Sequence, residues 1–254
     1  MQCSTEVTIK SWFKVVEIEV NSRCNRKCDY CPNSLLPPPN VPEYMSDEIF
    51  EKILNELSLL NFIGRISYHF YNEPLLRNDL ERLVKWVQIM LPRIHQVLYT
   101  NGSLLSDERY FTLKEAGIDH FLVTKHDSMP IPQREQQTVL FPKDIEKTNR
   151  GGNLFKLKKP LSLPCYAPSE MIIITITGDI LLCYEDYRRN HIMGNITTQS
   201  LGDIWFSDEF TRIRNLLING NRDKASTICR YCDNKIFTLP NVMGEHERSR
   251  SYQT

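Results

Sequence analysis

The chain has no excess of charge of either sign. Lysine plus arginine number 31, and so do aspartate plus glutamate. A balance of that kind gives no general attraction to nucleic acid or to an anionic membrane surface, so neither is expected as a partner. No apolar run approaches the roughly 18 residues of a membrane span. The stretch Met1 to Lys10 is polar and lacks the apolar core of a secretory signal, so a cytoplasmic protein is expected. There is no internal repeat. What is present is a chain of 254 residues, 41% hydrophobic and 24% charged, long enough for one large domain with a small module. It also carries 8 cysteines. In a reducing compartment that number favours metal sites over disulfides.

Three of these cysteines lie in Cys24-Asn25-Arg26-Lys27-Cys28-Asp29-Tyr30-Cys31. Ahead of them runs Val15-Val16-Glu17-Ile18-Glu19-Val20, whose alternation reads as a half-buried strand. A cubane 4Fe–4S cluster takes four thiolates, so a trio leaves one iron open to a small molecule. Three buried thiols, or part of a zinc site, are the alternatives. Zinc sites close with four ligands, and neither Cys nor His follows soon after Cys31. A second set, Cys165, Cys183, Cys229 and Cys232, supplies four thiolates, enough for a closed 4Fe–4S cluster or for structural zinc. Spacing leaves both open. Cys3 is left over.

Between and after these sets the periodicity alternates. Ser46 reads as an N-cap, with Ile49, Ile53, Leu54, Leu57 and Leu60 forming one apolar stripe. Strands are expected at 66–70, 97–100 and 121–124, and helices at 79–90 and 106–116. A further strand is hinted at 138–141. Strand–helix alternation at short spacing implies an α/β fold with a parallel sheet, a shortened partial (β/α) barrel. From residue 160 the composition shifts. Met171 to Thr177, a turn at Gly178 and Leu181 to Cys183 read as a hairpin, followed by a helix at 208–218.

Cys-x3-Cys-x-aromatic-Cys after a first strand resembles the signature of radical S-adenosylmethionine (SAM) enzymes. The resemblance implies that Cys24, Cys28 and Cys31 hold a 4Fe–4S cluster whose open iron chelates SAM, with Tyr30 near the adenine. It implies reductive cleavage of SAM to a 5′-deoxyadenosyl radical. Tyr71-Asn72-Glu73-Pro74 at the end of strand two is similar to the family's Gly-Gly-Glu-Pro motif, which receives the SAM amino group. Here Tyr and Asn stand where two glycines are common, and Asn72 and Glu73 are the expected contacts. Asn101, in Thr100-Asn101-Gly102, is expected at the SAM ribose or carboxylate. Thr124 and His126 are expected at SAM or substrate. The second cysteine set resembles the short SPASM/twitch-type auxiliary module with one cluster, making two clusters in all. The implied domains are a radical SAM core at 1–159, an auxiliary-cluster module at 160–240 and a polar tail at 241–254.

Within the family the resemblance extends to members that oxidise a ring alcohol in aminocyclitol antibiotic pathways. It runs through Ile18-Glu19-Val20-Asn21, His69 to Leu76, Tyr99 to Gly102, Asn149-Arg150-Gly151-Gly152 and Met193-Gly194-Asn195-Ile196. It implies a SAM-dependent secondary-alcohol dehydrogenase acting on a small polar ring, an aminocyclitol or a sugar. Arg150 would bind the hydroxyl, the second cluster would accept an electron, and a flavodoxin or ferredoxin would supply electrons. Two alternatives stand beside it. One is a peptide-modifying radical SAM enzyme, although little chain precedes Val15 where such enzymes usually carry a docking domain. The other is a non-catalytic iron–sulfur or zinc protein.

Overall fold

The structure, a computed structural model, describes residues 12–128, 130–143 and 145–240. Cys3 and the tail from 241 lie outside the described residues. In the first half, β1 (Val15–Ile18), α1 (Pro32–Leu35), α2 (Asp47–Leu59) and β2 (Arg65–Ser67) lead to a 3-10 turn at Pro74–Leu76. Then come α3 (Leu80–Met90), β3 (His95–Thr100), α4 (Asp107–Ala116), β4 (His120–Thr124) and β5 (Gln137–Leu140). The second half contains α5 (Ala167–Glu170), β6 (Met171–Ile174), β7 (Asp179–Leu181) and β8 (Ile192–Asn195). It ends with α6 (Leu201–Trp205), α7 (Asp208–Ile218), α8 (Arg222–Ala225) and α9 (Thr227–Tyr231).

Among the described residues the strands form one sheet in the order β5-β4-β3-β2-β1-β6-β7-β8. Pairing is parallel from β5 through β1 to β6, and β7 and β8 add antiparallel. The hairpin expected after residue 170 is present, and its first strand extends the parallel sheet: Val15 pairs with Met171 and Ile18 with Ile174. Its turn is closed by Gly178 at φ +82°, a left-handed conformation that glycine adopts without strain. Leu182 and Cys183 fall just beyond β7.

The helices start where the sequence supplies an oxygen. Ser46 accepts from the Ile49 amide at the start of α2, Ser106 from Arg109 at α4, and Ser207 from Phe210 at α7. Asp47 and Glu48 sit in the first turn of α2, at the positive end of its dipole. Its stripe of Phe50, Ile53, Leu54 and Leu57 is fully buried in the core.

Two expectations change. Strand two stops at Ser67 and not at Phe70, because the Phe70 amide donates to Asn72 Oδ1 at 2.7 Å and leaves the ladder for a side-chain turn. β1 is buried on both faces, all of Val15–Ile18 being buried, and β2 and β6 cover its two edges. Its carboxylates therefore lie inside: Glu17 faces Arg65, 3.9 Å away, and Arg65 in turn donates to the Tyr99 hydroxyl at 2.7 Å. Burial raises the Glu17 pKa to about 7 against the pull of Arg65.

Candidate active site

The carboxyl ends of the parallel strands carry the polar motifs, as expected for sheets of this class. Cys24, Cys28 and Cys31 stand half-buried on the loop after β1. The loop is held by the Cys31 amide donating to the Cys28 carbonyl at 3.2 Å, and Cys31 caps α1. Burial raises the pKa of all three thiols, and the Arg150 guanidinium pulls Cys31 back down. Tyr30 stacks on His126 with ring centres 6.2 Å apart, and His126 Nδ1 lies 3.7 Å from Cys28 Sγ. Thr124 ends β4 two residues earlier.

Glu73 is 2% exposed. Its carboxylate accepts from the Leu75 amide at 3.1 Å, the Thr100 hydroxyl at 2.7 Å and the Asn101 amide at 2.7 Å. Three donors leave roughly one of a carboxylate's four lone-pair positions for a ligand. Burial raises its pKa and the Asn101 and Thr100 hydrogen bonds lower it. Glu73 thus ties the end of β2 to the end of β3. Asn72 bends back on its own loop, accepting from Phe70 and donating to the Tyr68 carbonyl at 3.4 Å. The Asn101 amide reaches toward the first cysteine loop, donating to Asn25 Oδ1 at 2.8 Å, with Cys24 Sγ at 4.0 Å.

Cys165, Cys183, Cys229 and Cys232 come from four separate places: before α5, after β7, within α9 and just past it. They line one cavity with Glu185 and Arg222. Burial pushes the Cys229 thiol up to about 12, and the hydroxyl of Ser226 and the Arg222 guanidinium oppose it. Arg222 is 1% exposed and donates to three backbone carbonyls, of Leu163, Pro164 and Asn234. A buried cation facing four thiols suits an anionic group. Among the described residues no three His, Cys, Asp or Glu side chains converge tightly enough to hold a single metal ion.

Arg150 lies between the two sets. Burial works to lower its pKa, and Tyr71, Glu185 and Cys31 around it hold the pKa above the usual arginine value. Its guanidinium carbon stands 5.7 Å from the centre of the Tyr71 ring, and its Nε is buried without a partner. The backbone is left-handed through Arg150, Gly151 and Gly152. A Cβ on Gly151 would come within 2.5 Å of Ile228 in α9, so the loop fits only without one. Asn149, fully buried, locks that contact: its amide donates to the carbonyls of Tyr231 at 2.6 Å and Phe155 at 2.9 Å.

A search against family models matches residues 18–128 to "Radical SAM superfamily" and residues 165–233 to "Iron-sulfur cluster-binding domain", the SPASM model. The chain is 38% identical over 235 residues to the S-adenosyl-L-methionine-dependent 2-deoxy-scyllo-inosamine dehydrogenase of Niallia circulans, covering 87% of this chain and 93% of that protein. The chain belongs to the radical SAM family. It is a radical SAM enzyme and a homologue of that dehydrogenase. In structure it resembles the crystal structure of BtrN in complex with AdoMet and 2-DOIA, with a TM-score of 0.83 and 37% identity over 91% of this chain and 97% of that one. The Streptococcus suis SuiB structure bound to precursor peptide SuiA has a TM-score of 0.55 at 14% identity, over 80% of this chain and 67% of that one. That likeness shows the shared fold alone.

Several residues at the site escape a sequence reading. Glu185 is 1% exposed and accepts from the Thr148 hydroxyl at 2.9 Å and the Asn234 amide at 2.8 Å. Glu19 pairs with Arg189, Nη2 lying 2.8 Å from Oε2 and 3.0 Å from Oε1. The one available signal was the place of Glu19 on the Glu17 face of β1, two residues on along the strand.

Proposed function

We propose that this chain is a SAM-dependent dehydrogenase that oxidises a hydroxyl-bearing carbon of an aminocyclitol or sugar-like ring to a ketone. The observation that carries this reading is the likeness to the 2-deoxy-scyllo-inosamine dehydrogenase across nearly the whole of both chains. We assign Cys24, Cys28 and Cys31 to one 4Fe–4S cluster and Cys165, Cys183, Cys229 and Cys232 to a second. The match of residues 165–233 to an iron–sulfur cluster-binding domain supports an iron–sulfur centre over zinc at the second set. The division into a core to residue 159 and a module from 160 is then one of cofactor, built on a shared sheet.

Turning CH–OH into C=O removes a hydrogen atom, a proton and an electron. When bound, SAM with the first cluster supplies the radical that takes the hydrogen atom, and the second cluster supplies a place for the electron. The residues of the chain hold and orient. Glu73, Asn72, Asn101, Thr124, His126 and Tyr30 surround the SAM position. Arg150 donates to the ring hydroxyl from its place between the cysteine sets; its very high pKa disfavours a role as base. A flavodoxin- or ferredoxin-type protein is the electron donor, and the cytoplasm is the setting. No helix among the described residues is long and apolar enough to cross a membrane.

The test is isotopic. With reconstituted enzyme, SAM and a ring alcohol deuterated at the reacting carbon, deuterium is expected in 5′-deoxyadenosine and the product is a ketone two hydrogens lighter. One SAM is consumed per turnover. A product of unchanged mass, or no labelled 5′-deoxyadenosine from any ring alcohol, refutes the reading.

A further inference from the structure

Among the fully buried side chains Arg222, at the start of α8, is second in size only to Trp205. Its Nε donates to the Leu163 carbonyl at 2.9 Å, Nη1 to the Asn234 carbonyl at 2.8 Å and Nη2 to the Pro164 carbonyl at 2.9 Å. All three acceptors are neutral. Among the described residues no carboxylate pairs with Arg222, and Asp223, its neighbour in the chain, is exposed. A cation taken out of water without a counter-charge is costly, and carbonyl dipoles offset only part of the cost.

Arg222 lines the cavity of Cys165, Cys183, Cys229 and Cys232. The other charged group on that cavity, Glu185, has the Arg150 guanidinium as its strongest opposing charge. Arg222 has no such counterpart. It also holds the backbone that carries the thiols. Leu163 and Pro164 lead straight into Cys165. Asn234 follows Cys232 by two residues, and its amide donates to Cys232 Sγ at 3.4 Å.

We propose that Arg222 makes the second cluster an electron acceptor: its fixed positive charge favours the reduced form, which is the more negative of the two. Uptake of the electron that leaves the oxidised alcohol adds one negative charge to a centre already held by four thiolates. Net charge and hydrogen bonds to the sulfurs are among the levers that set such potentials, and Arg222 supplies the first directly and steadies the second through Asn234. An arginine stays protonated at any working pH, so the bias is constant. The proposal rests on the reading of this cysteine set as the ligands of a 4Fe–4S cluster, and it says why that centre takes the electron.

The experiment is a redox titration of the full chain with both clusters in place, followed by electron paramagnetic resonance. The signal of the first cluster is told apart by its change when SAM is added. A unit charge within about 10 Å, at an effective dielectric of about 20, biases an equilibrium by roughly tenfold. Arg222→Gln should therefore lower the potential of the second cluster by about 59 mV, the one-electron equivalent of tenfold, with iron content kept and the first cluster unmoved. Arg222→Lys keeps the charge without the fork and should stay near the wild-type potential. In Arg222→Gln, SAM cleavage should also outrun ketone formation. An unchanged potential in Arg222→Gln, or an equal fall in both variants, overturns the proposal. Where Arg222→Gln loses the second cluster, Arg222→Lys decides: a cluster kept at the wild-type potential supports the proposal, and a lost cluster or a lowered potential overturns it. Zinc in place of iron at the second set overturns both the cluster reading and the proposal. Potentials that shift as stated, with no ketone from any ring alcohol, overturn the dehydrogenase reading and leave the role of Arg222 standing.

Discussion

Glu73→Gln tests whether one carboxylate joins the ends of two strands. The glutamate accepts three hydrogen bonds while 2% exposed. A glutamine has one acceptor oxygen. Placed where Oε1 stands, it keeps the Leu75 amide and the Thr100 hydroxyl, whose own oxygen already accepts from the Gly102 amide at 3.0 Å. The amide nitrogen then faces the Asn101 N–H, donor against donor. One buried N–H loses its partner, at about 1–3 kcal/mol, and the two remaining bonds lose the benefit of a charged acceptor. Relief from burying a charge offsets part of this, so a net loss of about 2–4 kcal/mol is expected. The measurement is urea unfolding followed by circular dichroism, without SAM, at unchanged slope. A double-mutant cycle with Thr100→Val should give a coupling of about 1–3 kcal/mol. SAM affinity should fall as well, because the amide of Asn101 is no longer held in place. Full stability in Glu73→Gln, or a coupling near zero, refutes the reasoning even if SAM binding is weakened.

Two further outcomes follow from the same geometry. Replacing Cys229 and Cys232 together by Ala should remove about half of the roughly eight irons expected from two 4Fe–4S clusters, as read by iron and sulfide assay, and should stop ketone formation while SAM cleavage persists in part. Tightly bound zinc in the wild-type second site would refute that assignment. Gly151→Ala should cost about 1–3 kcal/mol by thermal or urea unfolding, because its φ of +61° and the 2.5 Å approach to Ile228 are both unfavourable to a Cβ, and a stable variant would show the loop free to move.

Much of the fold was legible locally. The helix at 208–218 is found with those bounds, because Ser207 caps it and Phe210, Ile213 and Leu217 recur on one buried side. The end of β2 was not, because the Asn72 side chain competes for a backbone amide that strand propensity alone assigns to the ladder. Charged residues were the hardest to place. Glu19, Glu185 and Arg189 take their partners from distant segments: Ile176 reaches Glu19 and Asn234 reaches Glu185. The Asn149-Arg150-Gly151-Gly152 motif reads as a ligand loop, yet three of its four residues serve the fold. Asn149 and the two glycines fasten the loop to α9, and Arg150 alone turns toward the cysteine sets. Nothing near Val15 in the sequence signals that its strand pairs with Met171.

That pairing has a consequence for the chain as it is made. β2 can cover one edge of β1 early in synthesis, but the other edge waits for Met171–Ile174. At about 5–20 residues per second the wait is on the order of ten to thirty seconds. During it a nearly all-apolar strand stands with unpaired amides and carbonyls, the kind of edge that other chains pair with. The cysteine loop that follows β1 is on the ribosome for the same interval with only one side of its platform built. The nascent protein is therefore most open to aggregation, and the thiols of Cys24, Cys28 and Cys31 most open to oxidation, before Met171–Ile174 has been made.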